Sequence, residues 1–364
     1  MAEFFASYGL FFLKVLTFLI AILIVIFTVA MLASRGRKPG SEGSIEITNL
    51  NETYDAMRES LSFSLLDEQA EKLARKDKKS EDKAERKAQK AAAKKARKQR
   101  GDGETHVNEP GKKRVFVMDF DGDMRATAVE NMRREISAIL TTATEQDEVV
   151  LLLTSGGGTV TGYGLGASQL DRVKAKNVSL TVCIDQVAAS GGYMMACVAD
   201  KLIAAPFAFL GSIGVVAQIP NFHRLLKEFN IDFEVLTAGK FKRTLTVFGE
   251  NSDEGRDKFL QDIERIHGQF KQHVDHYRPS LNIEEVATGE IWAGQDALDR
   301  HLADELGTSD AYLMDQLEEA DVLMVKYQKK KSIADRFSIG VQDTVDGLLM
   351  RWVERASKIH NTLS

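Results

Sequence analysis

Two glycine-rich turns, each between an apolar strand and a helical stretch, constrain this chain more than any other feature. Glu148 to Leu153 (EVVLLL) reads as a short buried strand that runs into Thr154-Ser155-Gly156-Gly157-Gly158, followed by a helical stretch to about Lys176. Val178 to Ile184 reads as another strand, followed by Ala188-Ala189-Ser190-Gly191-Gly192 and a further helix. Upstream, Arg114 to Phe120 is β-branched and aromatic, as a strand requires. Thr127 to Thr144 carries a helical stripe at Val129, Met132, Ile136, Ile139 and Leu140. Strands and helices that alternate at this length predict an α/β domain with a largely parallel sheet. No internal repeat of useful length is present.

In open α/β sheets, active sites form at the carboxyl ends of strands. Glycines there let the backbone approach a substrate closely. The helix that follows offers unpaired N–H groups and a positive dipole end, both suited to a developing oxyanion. Ser190, between Ala189 and Gly191, is placed to project from such a turn. From spacing alone it is equally well explained as a helix N-cap. The Gly156 to Gly158 turn is not a phosphate loop of the GxxxxGK[ST] kind, because Thr159-Val160 stand where a lysine and hydroxyl belong. A GxGxxG dinucleotide fingerprint is also missing.

A serine nucleophile needs a base, most often histidine. His223, His267, His273, His276, His301 and His360 follow Ser190, and none falls at an apolar strand end. His223 reads as a helix-surface residue, and His267, His273 and His276 share a long charged helix. Lysine is the other option, since desolvation lowers its pKa toward neutrality. Gly239-Lys240-Phe241-Lys242-Arg243-Thr244 follows a predicted strand, Phe233 to Leu236. On this ground alone, either lysine is better read as a solvated loop charge. The two cysteines, Cys183 and Cys197, lie in apolar segments without CxxC spacing and read as core residues rather than metal ligands or a disulfide.

Taken together, the motifs resemble the signal peptide peptidase A (protease IV) family of membrane serine peptidases, and within it the SohB branch. The resemblance spans roughly Arg114 to Asp310. Ser155-Gly156-Gly157-Gly158 is similar to the family's Ser-Pro-Gly-Gly turn, with Gly156 in place of proline. Ala189-Ser190-Gly191-Gly192-Tyr193 resembles the nucleophile motif, and Gly211-Ser212-Ile213-Gly214-Val215 is a third match. Gly239-Lys240-Phe241-Lys242 resembles the lysine motif, whose second lysine is the base. Gly289 to Ala297 and Asp304-Glu305-Leu306-Gly307 match the closing motif, with His301 where glycine is common.

The resemblance implies a ClpP/crotonase-type fold and a peptide or protein substrate. It makes Ser190 the nucleophile and Lys242 its base. Ser212 becomes the hydroxyl that holds the lysine, and the N–H groups of Gly158 and Gly191 the oxyanion hole. It implies no cofactor, metal or nucleotide. In half-length relatives, active sites form at the junctions of a homo-oligomeric ring, and the same is expected here. An apolar setting at Phe241 and Leu245, with burial in a subunit contact, is expected to desolvate the lysine. Two rival readings are a catalytically silent peptide-binding scaffold and a crotonase-like acyl-CoA enzyme. Intact Ser190, Ser212 and Lys242 speak against the first, and the lysine motif against the second.

The flanking segments set the surroundings. Val15 to Ala33 is uncharged and long enough to cross a bilayer. Its acidic start and long apolar run favour an uncleaved anchor over a signal peptide, giving residues 1–34 as a single-pass anchor in the bacterial inner membrane. The anchor is thus expected to contact membrane lipid. Arg35, Arg37 and Lys38 follow it, which by the positive-inside rule keeps the rest of the chain in the cytoplasm. The family resemblance implies the periplasmic side, and that is the expectation taken.

The formal net charge of -5 conceals a basic, lysine-rich block at about 67–100. Residues 35–111 are read as a charged helical or disordered tether. Without aromatic residues among its basic ones, base stacking has no platform, and no nucleic-acid partner is expected. The peptidase domain is placed at 112–328. An amphipathic helical extension is placed at 329–364, packing on the domain or a neighbouring subunit through a stripe that includes Leu348, Leu349 and Trp352.

Overall fold

The computed structural model describes residues 11–18, 43–67, 69–74, isolated positions from 76 to 91, and 112–329. Most of the expected anchor, much of the tether and nearly all of the carboxyl-terminal extension therefore lie outside the described residues. Residues 11–18 are helical with exposed apolar side chains. Among the described residues no helix is long and apolar enough to cross a membrane. The chain divides into one unit of Met1–Ser44 with Gln328–Ser364, and a second of Ile45–Tyr327.

The second unit is a mixed α/β domain around a central sheet. Its strands are β1 (Ser44–Asn49), β2 (Arg114–Gly122), β3 (Glu148–Ser155), β4 (Ser179–Ile184), β5 (Val187–Ala189), β6 (Lys201–Ala204), β7 (Phe209–Gly211), β8 (Ile291–Ala293), β9 (Glu305–Leu306) and β10 (Asp321–Gln328). The described helices are α1 (Leu50–Ser64), α2 (Val129–Ile139), α3 (Val160–Lys174), α4 (Gly191–Ala196), α5 (His223–Glu228), α6 (Asp253–Tyr277), α7 (Ile283–Val286), α8 (Gly294–Asp299) and α9 (Ser309–Glu319). The sheet runs β1-β10-β2-β3-β4-β6-β9, and β10, β2, β3, β4, β6 and β9 pair in parallel. The short strand β5 branches from the end of β3 to pair with β7, and β7 pairs antiparallel with β8.

Side-chain alternation along the strands builds two cores. Phe116, Met118 and Phe120 of β2, Val149, Leu151 and Leu153 of β3, and Leu180, Val182 and Ile184 of β4 face one side. There they pack under the apolar stripes of α2 (Met132, Ile136) and α3 (Ala167, Leu170). Val115, Val117, Val150, Cys183 and Ile203 face the other side, beneath Leu313 of α9. Cys183 and Cys197 are free and buried, and burial pushes both thiols up to about 12.

Two segments differ from the sequence expectation. Phe233 to Leu236 form no strand; 231–237 run without regular structure and their side chains are exposed. Within the segment read as tether, β1 and α1 are instead folded elements. Ile45 and Leu50 pack against the two cores, and Asn51 adds a polar lock. Asn51 Nδ2 donates to Leu317 O (3.1 Å) and Ala320 O (3.0 Å), and Val322 N donates to Asn51 Oδ1 at 2.8 Å.

A buried carboxylate fastens the opposite end of the sheet from the site. Asp147 accepts from Arg114 N (3.1 Å), Nε (3.0 Å) and Nη2 (2.6 Å), and from Thr144 N (2.7 Å) and Oγ1 (2.9 Å). Burial pushes its carboxyl up, but the hydrogen bonds from Arg114 and Thr144 outweigh this and hold it below the usual range. A carboxyl depressed on folding contributes stability above its unfolded pKa, and that contribution is lost as pH falls through the folded value. Asp147→Asn is therefore expected to cost about 1–3 kcal/mol at neutral pH. It should also flatten the acid loss of stability below pH ~4. Urea unfolding of both proteins across pH tests both effects.

Candidate functional site

The site is built where β5 leaves the sheet. β3 and β5 register at Ser155 and Ala188, and β5 and β7 at Ala189 and Gly211. This pairing sets Ser190 and Ser212 side by side, each one residue beyond a paired strand end. Ser190 N donates to Gly211 O at 2.8 Å, and Met194 N returns a bond to Ser190 O at 2.9 Å. Between these bonds the Ser190 backbone takes φ 51 and ψ −117, a region non-glycine residues avoid. Such a conformation costs about 1–3 kcal/mol and persists only where its surroundings over-determine it. Ser212 also has a positive φ of 51 and donates its N–H to Glu290 O at 2.6 Å.

The first glycine turn closes directly over the second. A Cβ on Gly157 would lie 2.7 Å from Gly191 N and 2.8 Å from Ser190 Cβ, and one on Gly158 would lie 2.2 Å from Met124 O. Only glycine permits this approach, so the turn is shaped by its fit to Ser190 as much as by its own conformation. Neither Gly158 N–H nor Gly191 N–H donates to another described group, and both residues line a cleft with Ser190.

Two clefts meet at Ser190, sharing Gly214, Val215 and Val216. The smaller, about 80 Å³, is walled by Val160, Met194, Ile266 and Phe270. The larger, about 300 Å³, is lined by Ser190, Ser212, Ile263, Glu264, His267 and Thr288, among others. Helix α6 supplies Ile263, Ile266, His267 and Phe270 from one face at helical spacing. Ser252 caps it, accepting from Gly255 N.

Ser190, Ser212, Gly158 and Gly191 are thus brought together within one chain. Lys242 is not: it lies exposed in the 239–244 segment and lines neither cleft. It pairs with no carboxylate among the described residues, whereas Lys240 pairs with Glu254 at 2.5 Å. Phe241 is likewise half-exposed, so the desolvation expected around the lysine is not supplied within the chain.

Several residues that hold the site escaped the sequence reading. Tyr163, between two glycines on α3, donates to Asp123 O (2.8 Å) and shares a 2.5 Å hydrogen bond with Ser155 Oγ. Its ring fills the space a side chain at Gly191 would need. Tyr193 donates to Leu302 O at 3.0 Å, and Arg278 pairs with Asp304 at 2.6 Å, tying α4 and β6 to the closing motif. Burial pushes the Asp304 carboxyl up, but Arg278 and the Leu202 N–H hold it below its ordinary range. His273 bonds Met194 O at 2.9 Å, and burial lowers its pKa. Among the described residues no group of three or more His, Cys, Asp or Glu side chains could hold a metal ion.

Comparison with known proteins places the chain. Residues 3–170 match the family described as "Peptidase family S49 N-terminal", and residues 172–323 match "Peptidase family S49". "Probable protease SohB" of Haemophilus influenzae is 46% identical over 97% of this chain and 97% of its own. "Probable protease SohB" of Buchnera aphidicola subsp. Schlechtendalia chinensis is 44% identical over 86% of this chain and 99% of its own. "Protease 4" of Haemophilus influenzae is 24% identical over 58% of this chain and 35% of its own. With two adjoining domain matches that together run from residue 3 to 323, and relatives aligned over nearly their whole length, the chain belongs to peptidase family S49 and is a protease.

Proposed function

We propose that the chain is a serine endopeptidase with a Ser190–Lys242 dyad, anchored in the bacterial inner membrane by residues 1–34. Its proposed substrates are signal peptides or other small membrane or periplasmic peptides, cut on the periplasmic side. The observation that carries this reading is the strained Ser190 turn, set against two unengaged N–H groups and a hydroxyl, Ser212, at the mouth of two clefts. Strain of this kind is retained where a side chain must be presented to a substrate. The short β5–β7 layer that carries both serines fits a ClpP/crotonase-type fold.

In this reading Ser190 Oγ attacks the scissile carbonyl as its proton passes to the neutral Lys242 amine. The carbonyl oxygen becomes an oxyanion, stabilised by the N–H groups of Gly158 and Gly191. The C–N bond then breaks, lysine returns the proton to the leaving amine, and an ester remains on Ser190. Water, deprotonated by the lysine, hydrolyses the ester and frees the serine. A lysine with an ordinary pKa near ~10.4 is charged at pH 7 and cannot serve as this base without desolvation.

A second copy of the chain supplies that desolvation in our reading. Residues 216–248 project an apolar surface, with Val216 82%, Phe229 69% and Leu236 90% exposed. Exposed apolar patches of this extent mark interaction sites. A ring of such contacts delivers Lys242 to the Ser190 and Ser212 of the adjoining copy and buries it there.

The reading is tested by fluorophosphonate labelling of the detergent-solubilised full chain. Wild type and Lys240→Ala are expected to label at Ser190, and Ser190→Ala and Lys242→Ala to lose labelling at least about 100-fold. Labelling that survives in Lys242→Ala would falsify the lysine assignment. An assembled wild type that never labels points to a peptide-binding scaffold. In this reading the small cleft, walled by Val160, Met194, Ile266 and Phe270, takes an apolar side chain on the acyl side of the cut. Ile266→Ala is expected to shift preference toward larger residues by about ten-fold in kcat/KM. An unchanged preference in a peptide-library cleavage assay would place the acyl-side residue elsewhere.

A further inference from the structure

If Lys242 reaches Ser190 and Ser212 from another copy, that copy needs a surface to dock on, and the β7–β8 ribbon offers one. In this antiparallel ribbon Leu210 pairs with Trp292, and Gly211 with Ile291. Leu210 is buried and Trp292 packs against the core, so both point inward. Phe209 and Ile291 alternate with them, point outward and are exposed. Phe207, in the Ala205–Ala208 turn that enters β7, is exposed as well. Phe209 and Ile291 are diagonal neighbours across the ribbon, close enough for large side chains to touch. Solvent-facing positions of an antiparallel pair are ordinarily polar. A single exposed apolar side chain is common, but a group of them on one ribbon marks an interaction surface.

The ribbon borders the site. Ser212 follows Gly211 directly and donates its N–H to Glu290 O, so Ile291 lies beside it. Thr288 and Gly289, which lead into β8, line the larger cleft with Ser190 and Ser212. Lys242, for its part, is joined to Arg243, which walls a groove with Phe233, Val235, Leu236 and Phe248. The rings of Phe233 and Phe248 lie 5.5 Å apart and make one wall aromatic. A copy that places Lys242 at Ser212 therefore brings this groove against the outward face of the ribbon. Charge agrees with the match. Arg243 has no ion pair among the described residues, and the exposed Glu290 carboxylate accepts from Thr288 Oγ1 at 2.8 Å but pairs with no described cation. Opposite charges across a junction fix its register more than its strength.

We propose that the outward face of the β7–β8 ribbon, built from Phe209 and Ile291 with Phe207 beside them, seats the Phe233–Phe248 groove of the adjoining copy and sets that copy's Arg243 against Glu290. The proposal rests on the reading that a second copy supplies Lys242, and it names the surface on which that copy docks. Ribbon and groove are different parts of one chain, so the contact is head-to-tail, the kind that closes into rings.

Cross-linking reads the contact without reference to catalysis. Cys183 and Cys197 are buried, so introduced surface cysteines are the reactive ones. In the detergent-solubilised full chain, Val235→Cys combined with Ile291→Cys is expected to give a ladder of covalent dimers and higher species with a short bis-maleimide. Val235→Cys combined with Met314→Cys is not, since Met314 is exposed on α9, over the other core. The second readout is fluorophosphonate labelling of Ser190. Phe209→Asp and Val235→Asp each put a carboxylate into the junction, and each is expected to lose assembly and to lower labelling at least about ten-fold. Mixed together they should recover labelling on the Val235→Asp chain alone, because only that chain keeps an intact ribbon beside its own Ser190. No ladder, an equal ladder from both cysteine pairs, or a Phe209→Asp chain that assembles and labels as wild type does overturns the proposal. So does a mixture of folded chains that recovers labelling on both or on neither. Cross-linking through positions 235 and 291 in a protein whose Ser190 never labels supports the junction and removes the dyad reading alone.

Discussion

The site depends on the short pairing of β5 with β7. Because Ala189 lies opposite Gly211, the next residue on each strand is a serine at a strand end. The bond from Ser190 N to Gly211 O fixes the first, and the bond from Ser212 N to Glu290 O fixes the second. Both serines adopt positive φ, and neither could hold it without these bonds. The Gly156–Gly158 turn then closes against Ser190 at a distance that admits no side chain. The Ser190 turn, the Ser212 hydroxyl and the two N–H groups are thus one geometric unit.

The rest of the domain keeps that unit rigid. Tyr163 fills the space beneath Gly191 and fastens the first turn through Ser155. Tyr193 and His273 hold α4 from below and from the side. Arg278 and Asp304 join the end of α6 to β6, so the helix that walls both clefts is braced against the sheet. The Asp304–Gly307 part of the closing motif is therefore a buttress: Asp304 joins α6 to β6 and lines neither cleft.

Apolar and β-branched runs at β2, β3 and β4, alternating with helical stretches, made the parallel sheet legible in the sequence, and the glycine runs located both turns. The elements it hid have physical reasons. β1 and α1 dock through Ile45, Leu50 and the side-chain amide of Asn51, too few apolar positions to make a stripe in the sequence. Phe233 to Leu236 have strand composition, but no strand among the described residues pairs with them, and composition alone cannot register that. His267 was grouped with the charged residues of its helix. Only the helix's position across Ser190 separates it from His276. Tyr163 carried a faint signal, as an aromatic between two glycines on the helix after the turn.

Lys242 marks the limit of what one chain contains. Among the described residues it is exposed, lines neither cleft at Ser190 and sits beside a half-exposed Phe241. The account makes the active site a property of two copies, and subunit complementation tests this most directly. Ser190→Ala and Lys242→Ala chains, each inactive alone, are dissociated, mixed and reassembled. Recovery of peptide cleavage in the mixture is expected, because some junctions then unite an intact Ser190 with an intact Lys242 from the other chain. A mixture that assembles normally yet stays as inactive as its components would contradict the account.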